Sequence, residues 1–318
     1  MMDIASVCLV GGTGFVGRAV AEQLATSGLR VRVLTRYDQN AAPVKVLPTV
    51  EVAVGNCHDA GDLMGAFEDM DAVVNCVGIL HEGRRSTFQR AHVELPRKVA
   101  EACRKSGVQH VLHVSALGAA ADGPSAYQRS KAAGEAALRE AAGVLPWTIF
   151  RPSVVFGEGD RFLNMFAQLV RAFPVIPLAR AKARFQPIWV EDVGRAIASS
   201  IGNLETFGQV YELCGPRTYA LEELVRYVAE LLGRKPRIVA LSDGLASLQA
   251  AVFERLPGKL ITRDNLRSMS VDNVCGCEFP ALFGFTPSAI EAVVPAYLAG
   301  IRPRDRYNTF RYRAGRHT

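Results

Sequence analysis

The stretch 6–18, SVCLVGGTGFVGR, constrains this chain more than any other part of it. Val7, Cys8, Leu9 and Val10 form a short apolar run of strand type that breaks into Gly11, Gly12, Gly14 and Gly17 before helical spacing resumes from Arg18 to Leu24. This predicts a strand, a tight turn and a helix start. Glycine serves such a turn in three ways: it permits the bend, it lets main-chain N–H groups approach a pyrophosphate, and it lets the helix pack close to the strand. The helix N-terminus then presents unpaired N–H groups and a positive dipole end to the phosphates. Because strand and helix signals flank the glycines on both sides, the loop is read as a dinucleotide cradle formed by Gly11, Thr13, Gly14, Phe15, Val16 and Gly17.

Apolar, β-branched runs recur at 32–34, 50–54, 72–77, 110–114 and 147–150, separated by segments of helical periodicity. Alternation of this kind predicts an α/β fold in which a doubly wound parallel sheet is covered on both faces. Gly28 and Gly107 are expected just past the ends of the first helix and of a helix over 88–106. The doubly wound part is placed at 1–155, with 188–207 returning to it. A smaller C-terminal part takes 156–187 and 208–318, with a helix at 221–232. The chain's 318 residues, 49% of them hydrophobic, suffice to bury cores of this size.

The net charge of +6 suits an anionic cofactor or membrane surface. Nucleic acid is not expected as a partner, because no basic block interleaved with aromatics lies on a recognisable nucleic-acid fold. The seven cysteines are read as reduced, buried thiols of a cytoplasmic protein, and the Cys275–Cys277 pair lacks the further ligands a metal site needs. No leader pattern and no apolar run long enough to span a membrane is seen. The segment 245–256 is amphipathic, and core packing is favoured over an interfacial role for it. In the tail, Arg302, Arg304, Arg306, Arg311, Arg313 and Arg316 alternate with Tyr307, Phe310 and Tyr312. That pattern suits an anionic membrane surface or an acidic protein partner, with a solvated terminus as the plainer reading.

About twenty residues past the glycines, folds that prefer NAD place an acid for the ribose 2′-OH. Here Thr35 and Arg36 stand at that point, so a guanidinium is available for a 2′-phosphate and NADP(H) is preferred. Asp38 keeps NAD(H) in play. Further on, Tyr127 and Lys131 follow the strand that ends at Ser115, and their i, i+4 spacing puts them on one helix face, with Ser125 as N-cap. An ammonium beside a phenol lowers the phenol's pKa and lets it exchange a proton with a substrate oxygen, while the lysine also holds a nicotinamide ribose. Tyr127, Lys131 and Ser115 are the candidate catalytic residues. His113 alternates with apolar neighbours and is read as a core histidine, and the charges Asp160, Arg161, Glu191 and Asp192 as architectural.

Taken together, Gly11 to Gly17, the strand end Asn75-Cys76-Val77-Gly78, His113-Val114-Ser115, Tyr127 with Lys131, and Arg151-Pro152-Ser153-Val154-Val155-Phe156-Gly157 resemble the extended, epimerase-like form of the short-chain dehydrogenase/reductase superfamily. Pro187-Ile188-Trp189-Val190-Glu191-Asp192-Val193 adds its later return to the first domain. The resemblance implies a Rossmann domain with a smaller substrate domain, and adds Cys76, Val77, Gly78 and Pro152 to the expected cofactor contacts. His113 to Leu117, Phe156-Gly157-Glu158-Gly159-Asp160-Arg161-Phe162-Leu163-Asn164 and Ile261-Thr262-Arg263-Asp264 are similar to the atypical branch that contains the nucleotide-binding accessory subunit of respiratory complex I. That likeness implies firmly held NADP(H), a place in quinone-linked respiratory metabolism, a membrane surface or a respiratory or quinone-biosynthesis protein as partner of the basic tail, and a position peripheral to the inner face of the membrane.

One departure bears on turnover. Catalytic members usually carry serine or threonine where this chain has Ala116, and loss of one positioned donor to a reacting oxygen costs on the order of 10² to 10³ in rate. A second, Asn56 in place of a frequent aspartate, has no assigned consequence. The leading expectation is an NADP(H)-binding protein with a structural or assembly role or slow reductase activity. The alternative is an active NAD(P)-dependent epimerase, dehydratase or reductase acting on a nucleotide-sugar or an isoprenoid-like carbonyl compound.

Overall fold

The computed structural model describes residues 2–83, 86–254 and 262–300. Its main sheet has seven parallel strands: β1 (Ser6–Val10), β2 (Arg30–Thr35), β3 (Val50–Val54), β4 (Ala72–Asn75), β5 (His110–Val114), β6 (Trp147–Pro152) and β7 (Gln209–Leu213). They lie in the order β7-β6-β5-β4-β1-β2-β3. The direction of winding therefore reverses between β1 and β4, and in such sheets ligands bind at the carboxyl ends of the strands at that switch point.

Side chains alternate across the sheet, so each strand feeds two cores. On one face Leu9, Val33 and Leu112 pack with Val20 and Leu24 of α1 (Phe15–Thr26) and with Val193 and Ile197 of α6 (Val190–Ser200). On the other, Cys8, Val10, Val73 and Val111 meet Leu63 of α2 (Ala60–Phe67), Val99 of α3 (Leu95–Lys105) and Leu138 of α4 (Ala126–Ala142). Burial on both faces is why these strands read as continuous apolar runs. Gly28 and Gly107 adopt positive φ of 78° and 71° just past α1 and α3, which glycine tolerates without penalty.

A smaller lobe gathers α5 (Phe162–Ala172), α7 (Leu221–Leu231) and α10 (Ile290–Leu298) around Phe156, Phe166, Leu224 and Val294. Short ribbons bind it together, such as Val175–Leu178 with Arg237–Ala240. Asp160 accepts from the Leu163 backbone N–H at 2.7 Å and from the Tyr297 hydroxyl at 2.8 Å, tying the start of α5 to α10. Asp192 accepts from the Ser288 N–H at 2.6 Å, and Glu191 from Gln23 of α1 at 3.3 Å. The stretch 208–213, expected in the smaller part, instead adds the edge strand β7 to the main sheet.

Two expectations change. Helix α8 (Asp243–Phe253) buries only Ala246 and Ala250, while Leu245, Leu248 and Val252 form an exposed stripe, so core packing does not account for its apolar residues. The cysteines are not all reduced: Cys214 and Cys275 form a disulfide across 61 residues, Cys57 and Cys76 are only half-buried, and Cys277 is exposed. No spacing in the sequence signals that pair, because its partners meet only when the 273–277 segment crosses the end of β7. Closing so long a loop restricts the unfolded chain and is worth typically 2–4 kcal/mol. Cys214→Ser is therefore expected to lower stability by about that amount in urea, and wild-type protein in reductant is expected to match it. Equal midpoints with and without reductant would contradict the pairing.

Ile261, the end of the 245–256 segment and the arginine-aromatic tail lie outside the described residues. Among the described residues no helix is long and apolar enough to cross a membrane.

Candidate functional site

The glycine turn sits at the switch point. Gly11 has φ +85°, and a Cβ on it would meet the Val77 side chain at 2.8 Å. A Cβ on Gly17 would lie 2.2 Å from the Gly11 carbonyl oxygen and 2.7 Å from Gly12 Cα, so loop and helix touch backbone to backbone. Helix α1 then starts at Phe15 with Gly14 as N-cap, no capping side chain and no acid in its first turn. Its first donors, on Phe15, Val16 and Gly17, thus meet no side-chain competitor, which is the arrangement a pyrophosphate needs. These features fit a dinucleotide, whose part is to supply the hydride-carrying ring.

Arg36 is exposed at the end of β2. Asp38, the acid that could have served an NAD ribose, is bound to Lys45 at 2.5 Å. The charges of Arg36, Arg90 and Lys98 all bear on His58 and, after the cost of burial, hold its pKa below the ordinary value. The neighbourhood is cationic.

Helix α4 carries the candidate catalytic residues Tyr127 and Lys131. Ser125 caps it with a reciprocal box to Gln128, and Tyr127, Lys131 and Glu135 follow at i, i+4 and i+8. The Lys131 ammonium donates to the Val114 carbonyl at 3.2 Å and lies so near Gly78 that a Cβ there would approach Nζ to 3.3 Å. Burial lowers the Lys131 pKa to about 8, against the opposing pull of Glu135 and Cys76. Burial also raises the Cys76 thiol to about 12 and the Tyr127 phenol to about 12. The phenol is thus protonated across neutral pH, and the lowering expected from the lysine does not appear: burial alone sets the shift.

Ser115, at the end of β5, is buried and donates its hydroxyl proton to Glu135 at 2.6 Å. The same carboxylate takes a two-pronged bond from Arg151 on β6, at 2.8 and 2.7 Å, and a bond from a second cation, Arg139, at 3.2 Å. A fully buried carboxylate needs such company, and removing one partner would leave an uncompensated charge. Ser115 therefore turns its donor into the fold, and Ala116 beside it has none. Pro152 closes β6 next to Arg151.

His92 belongs to the site although nothing in its spacing singles it out. It lies in a π-helical turn, Gln89–Glu94, ahead of α3. Its Nε2 accepts from the Ile79 N–H at 3.1 Å, so Nδ1 carries the proton and donates to Ser130 Oγ at 2.8 Å. Ser130 in turn donates to the Tyr127 carbonyl at 2.7 Å. The His92 ring stacks on Phe88 and meets the Tyr127 ring edge-on at 5.5 Å. Burial, with Lys131 nearby, depresses its pKa to about 2, which keeps it neutral. The π turn approaches α4 at Gly134, where a Cβ would stand 1.8 Å from the His92 carbonyl oxygen.

Asn75 and His113 complete the floor. Asn75 Oδ1 accepts from the Val77 N–H at 3.1 Å, so its amide NH₂ faces His113 Nδ1 at 3.2 Å. His113 is buried and its pKa falls to about 3, chiefly through desolvation, which accords with a core role. Besides His92, sequence reasoning missed Glu135, whose spacing four residues past Lys131 was a usable signal. Asp264 enters the sequence reading only through the short run 261–264. In the fold its carboxylate accepts the Ala126 and Tyr127 N–H groups at 2.8 and 3.0 Å.

The chain resembles known proteins in sequence and in fold. The chain is 30% identical to the rat mitochondrial NADH dehydrogenase [ubiquinone] 1 alpha subcomplex subunit 9, over 95% of this chain and 80% of that protein. It is 32% identical to a ceramide reductase of Caulobacter vibrioides over 74% of each. Among solved structures, an NADPH-dependent quinone oxidoreductase of Escherichia coli in complex with NADPH superposes with a TM-score of 0.76 at 17% identity, covering 92% of this chain and 99% of that one. Residues 7–214 match the model of the NAD dependent epimerase/dehydratase family, and the chain belongs to that family.

Proposed function

We propose that this protein holds NADP(H) as a resident nucleotide and is a slow reductase of a carbonyl or quinone group in quinone-linked respiratory metabolism. The single observation that carries this reading is the supply of protons at the strand ends: Tyr127 is a neutral phenol, Ser115 gives its proton to Glu135, and Ala116 has no donor. One donor suffices to protonate an oxygen as hydride reaches the adjacent carbon. A second, which would hold that oxygen in place, is missing, and a missing donor of this kind slows the step by about 10²- to 10³-fold. Gly11 to Gly17 and the open start of α1 hold the pyrophosphate, Lys131 holds the nicotinamide ribose, and Arg36 takes the 2′-phosphate. The relatives named for complex I and for ceramide reduction support the respiratory setting and the reducing direction. The exposed Leu245, Leu248 and Val252 support a peripheral place against a membrane or an apolar partner surface.

The test is nucleotide content and thermal stability of the purified protein. Bound nucleotide at a hundred times its Kd stabilises by about 2.7 kcal/mol, so NADPH is expected to raise Tm by about 5 °C. Arg36→Glu is expected to weaken NADPH by about 10- to 100-fold, the worth of a charge-assisted bond, and to leave NADH nearly unchanged. Absence of retained NADP(H) together with no shift on adding it would sink the proposal.

A further inference from the structure

We propose that Asp264 is a positioning residue for Tyr127, through which the smaller lobe sets the reach of the phenol. The inference rests on the reading of Tyr127 as proton donor. A helix leaves its first N–H groups without partners inside the helix. In α4 the donors of residues 125–128 are all accounted for, two from within the helix start and two from outside it. Ser125 Oγ accepts from the Gln128 N–H at 3.1 Å, whereas Asp264 Oδ1 takes the Ala126 N–H and Oδ2 the Tyr127 N–H, across 138 and 137 residues of chain.

Asp264 sits in the short helix α9 (Arg263–Ser268), which is itself fastened on two sides. Thr262 and Asn265 form a reciprocal capping box at its start. Arg263 holds Glu254, at the end of α8, through its backbone N–H at 2.7 Å and its guanidinium at 3.0 Å. Leu266 is buried with Ala246 and Ala250 of α8. Helix α8 is in turn tied to the Val175–Leu178 ribbon of the smaller lobe, Gln249 donating to the Pro177 carbonyl at 3.1 Å and Arg180 pairing with Asp243 at 3.3 Å, so the carboxylate is carried by that lobe and not by the sheet.

Tyr127 is consequently gripped from both sides. Its N–H is held by Asp264 of the smaller lobe, and its carbonyl is held through Ser130 by His92, which also fixes the loop after β4 at Ile79. A residue tied at both its backbone groups follows whichever partner moves. Displacement of a reacting group by about 1 Å costs up to about 10²-fold in rate, so the contact gives the smaller lobe command of the step without touching the reacting atoms.

The test uses the full chain with NADPH and menadione as hydride acceptor. Asp264→Ala is expected to lower the single-turnover rate by about 10- to 100-fold while the Kd for NADPH stays within about 3-fold. Asp264→Asn, which keeps one acceptor oxygen, should fall between the two and serves if the alanine variant does not fold. The readout specific to positioning is the double variant: Tyr127→Phe/Asp264→Ala should be no slower than Tyr127→Phe alone, because both changes act on one proton transfer. Wild-type rates in both Asp264 variants, or full additivity in the double variant, would overturn the proposal. If Tyr127→Phe itself turns over like wild type, or wild type does not turn over, the reading of Tyr127 fails separately. Hydrogen exchange then decides the Asp264 contact: faster exchange at Ala126 and Tyr127 in Asp264→Ala supports it, and unchanged protection overturns it.

Discussion

Gly17→Ala should lose nucleotide binding, with at least about a 100-fold weaker Kd for NADPH and no thermal shift on adding it. The added Cβ would lie 2.2 Å from the Gly11 carbonyl oxygen and 2.7 Å from Gly12 Cα. Both are backbone atoms, so no rotamer change can relieve the contact. Either α1 backs away from β1 or the turn opens, and each displaces the N–H groups that face the pyrophosphate. Overpacking of this kind costs about 1–3 kcal/mol or more in stability, which adds a drop in Tm. The control is Gly65→Ala in α2, where a Cβ meets nothing within 4 Å and the backbone is not left-handed. That change should stabilise slightly, by about 0.5–1 kcal/mol, because alanine is the better helix former. Isothermal titration of both variants checks the pair, and tight NADPH binding by Gly17→Ala would remove the cradle from the mechanism.

The second large effect is chemical. Tyr127→Phe deletes the phenolic proton and little else, since its ring contacts with His92 and Phe88 do not involve the hydroxyl. Loss of a positioned general acid is expected to slow hydride transfer by about 10²- to 10⁴-fold, with the Kd for NADPH nearly unchanged. The pH dependence assigns the partner. Burial holds the Tyr127 phenol at about 12 and the Lys131 ammonium at about 8, while His92 stays neutral with a pKa of about 2. Across neutral pH the donor is therefore protonated and the first group to titrate on the alkaline side is Lys131. Activity should be level from about pH 6 and decline through about pH 8 as Lys131 loses its charge. In Lys131→Met the rate should be lower and that decline absent. A decline that survives in Lys131→Met would move the titration to another group.

Much of this protein is legible from residue order alone. The apolar runs and their glycine punctuation carry the parallel sheet, because strands buried on both faces must be apolar throughout. The dinucleotide cradle is equally local: the turn, the helix start and the i, i+4 pair of Tyr127 and Lys131 are contained in short windows. The place of Arg36 at the end of β2 follows from its distance past the glycines. The same window-by-window reading misses β7, whose residues join the sheet only because β6 offers them an open edge.

What lies beyond a window is where the reading changed. Ser115 is a candidate substrate donor by sequence, whereas in the fold its hydroxyl bonds Glu135, itself held by Arg151, and that placement needs α4 laid across β5 and β6. His92 enters the site through a π turn that only the close approach at Gly134 accommodates. Cys214 and Cys275, and Asp264 with the start of α4, meet across 61 and more than 130 residues. The sequence by itself determined the fold class and the strand, glycine turn and helix that open it, and it placed the candidate acid and lysine one turn apart on a single helix, since each depends on local conformational preference and on periodic burial. Only the tertiary structure decided which side chains keep a proton to give, because hydrogen-bond partners and desolvation are set by neighbours that chain order does not bring together.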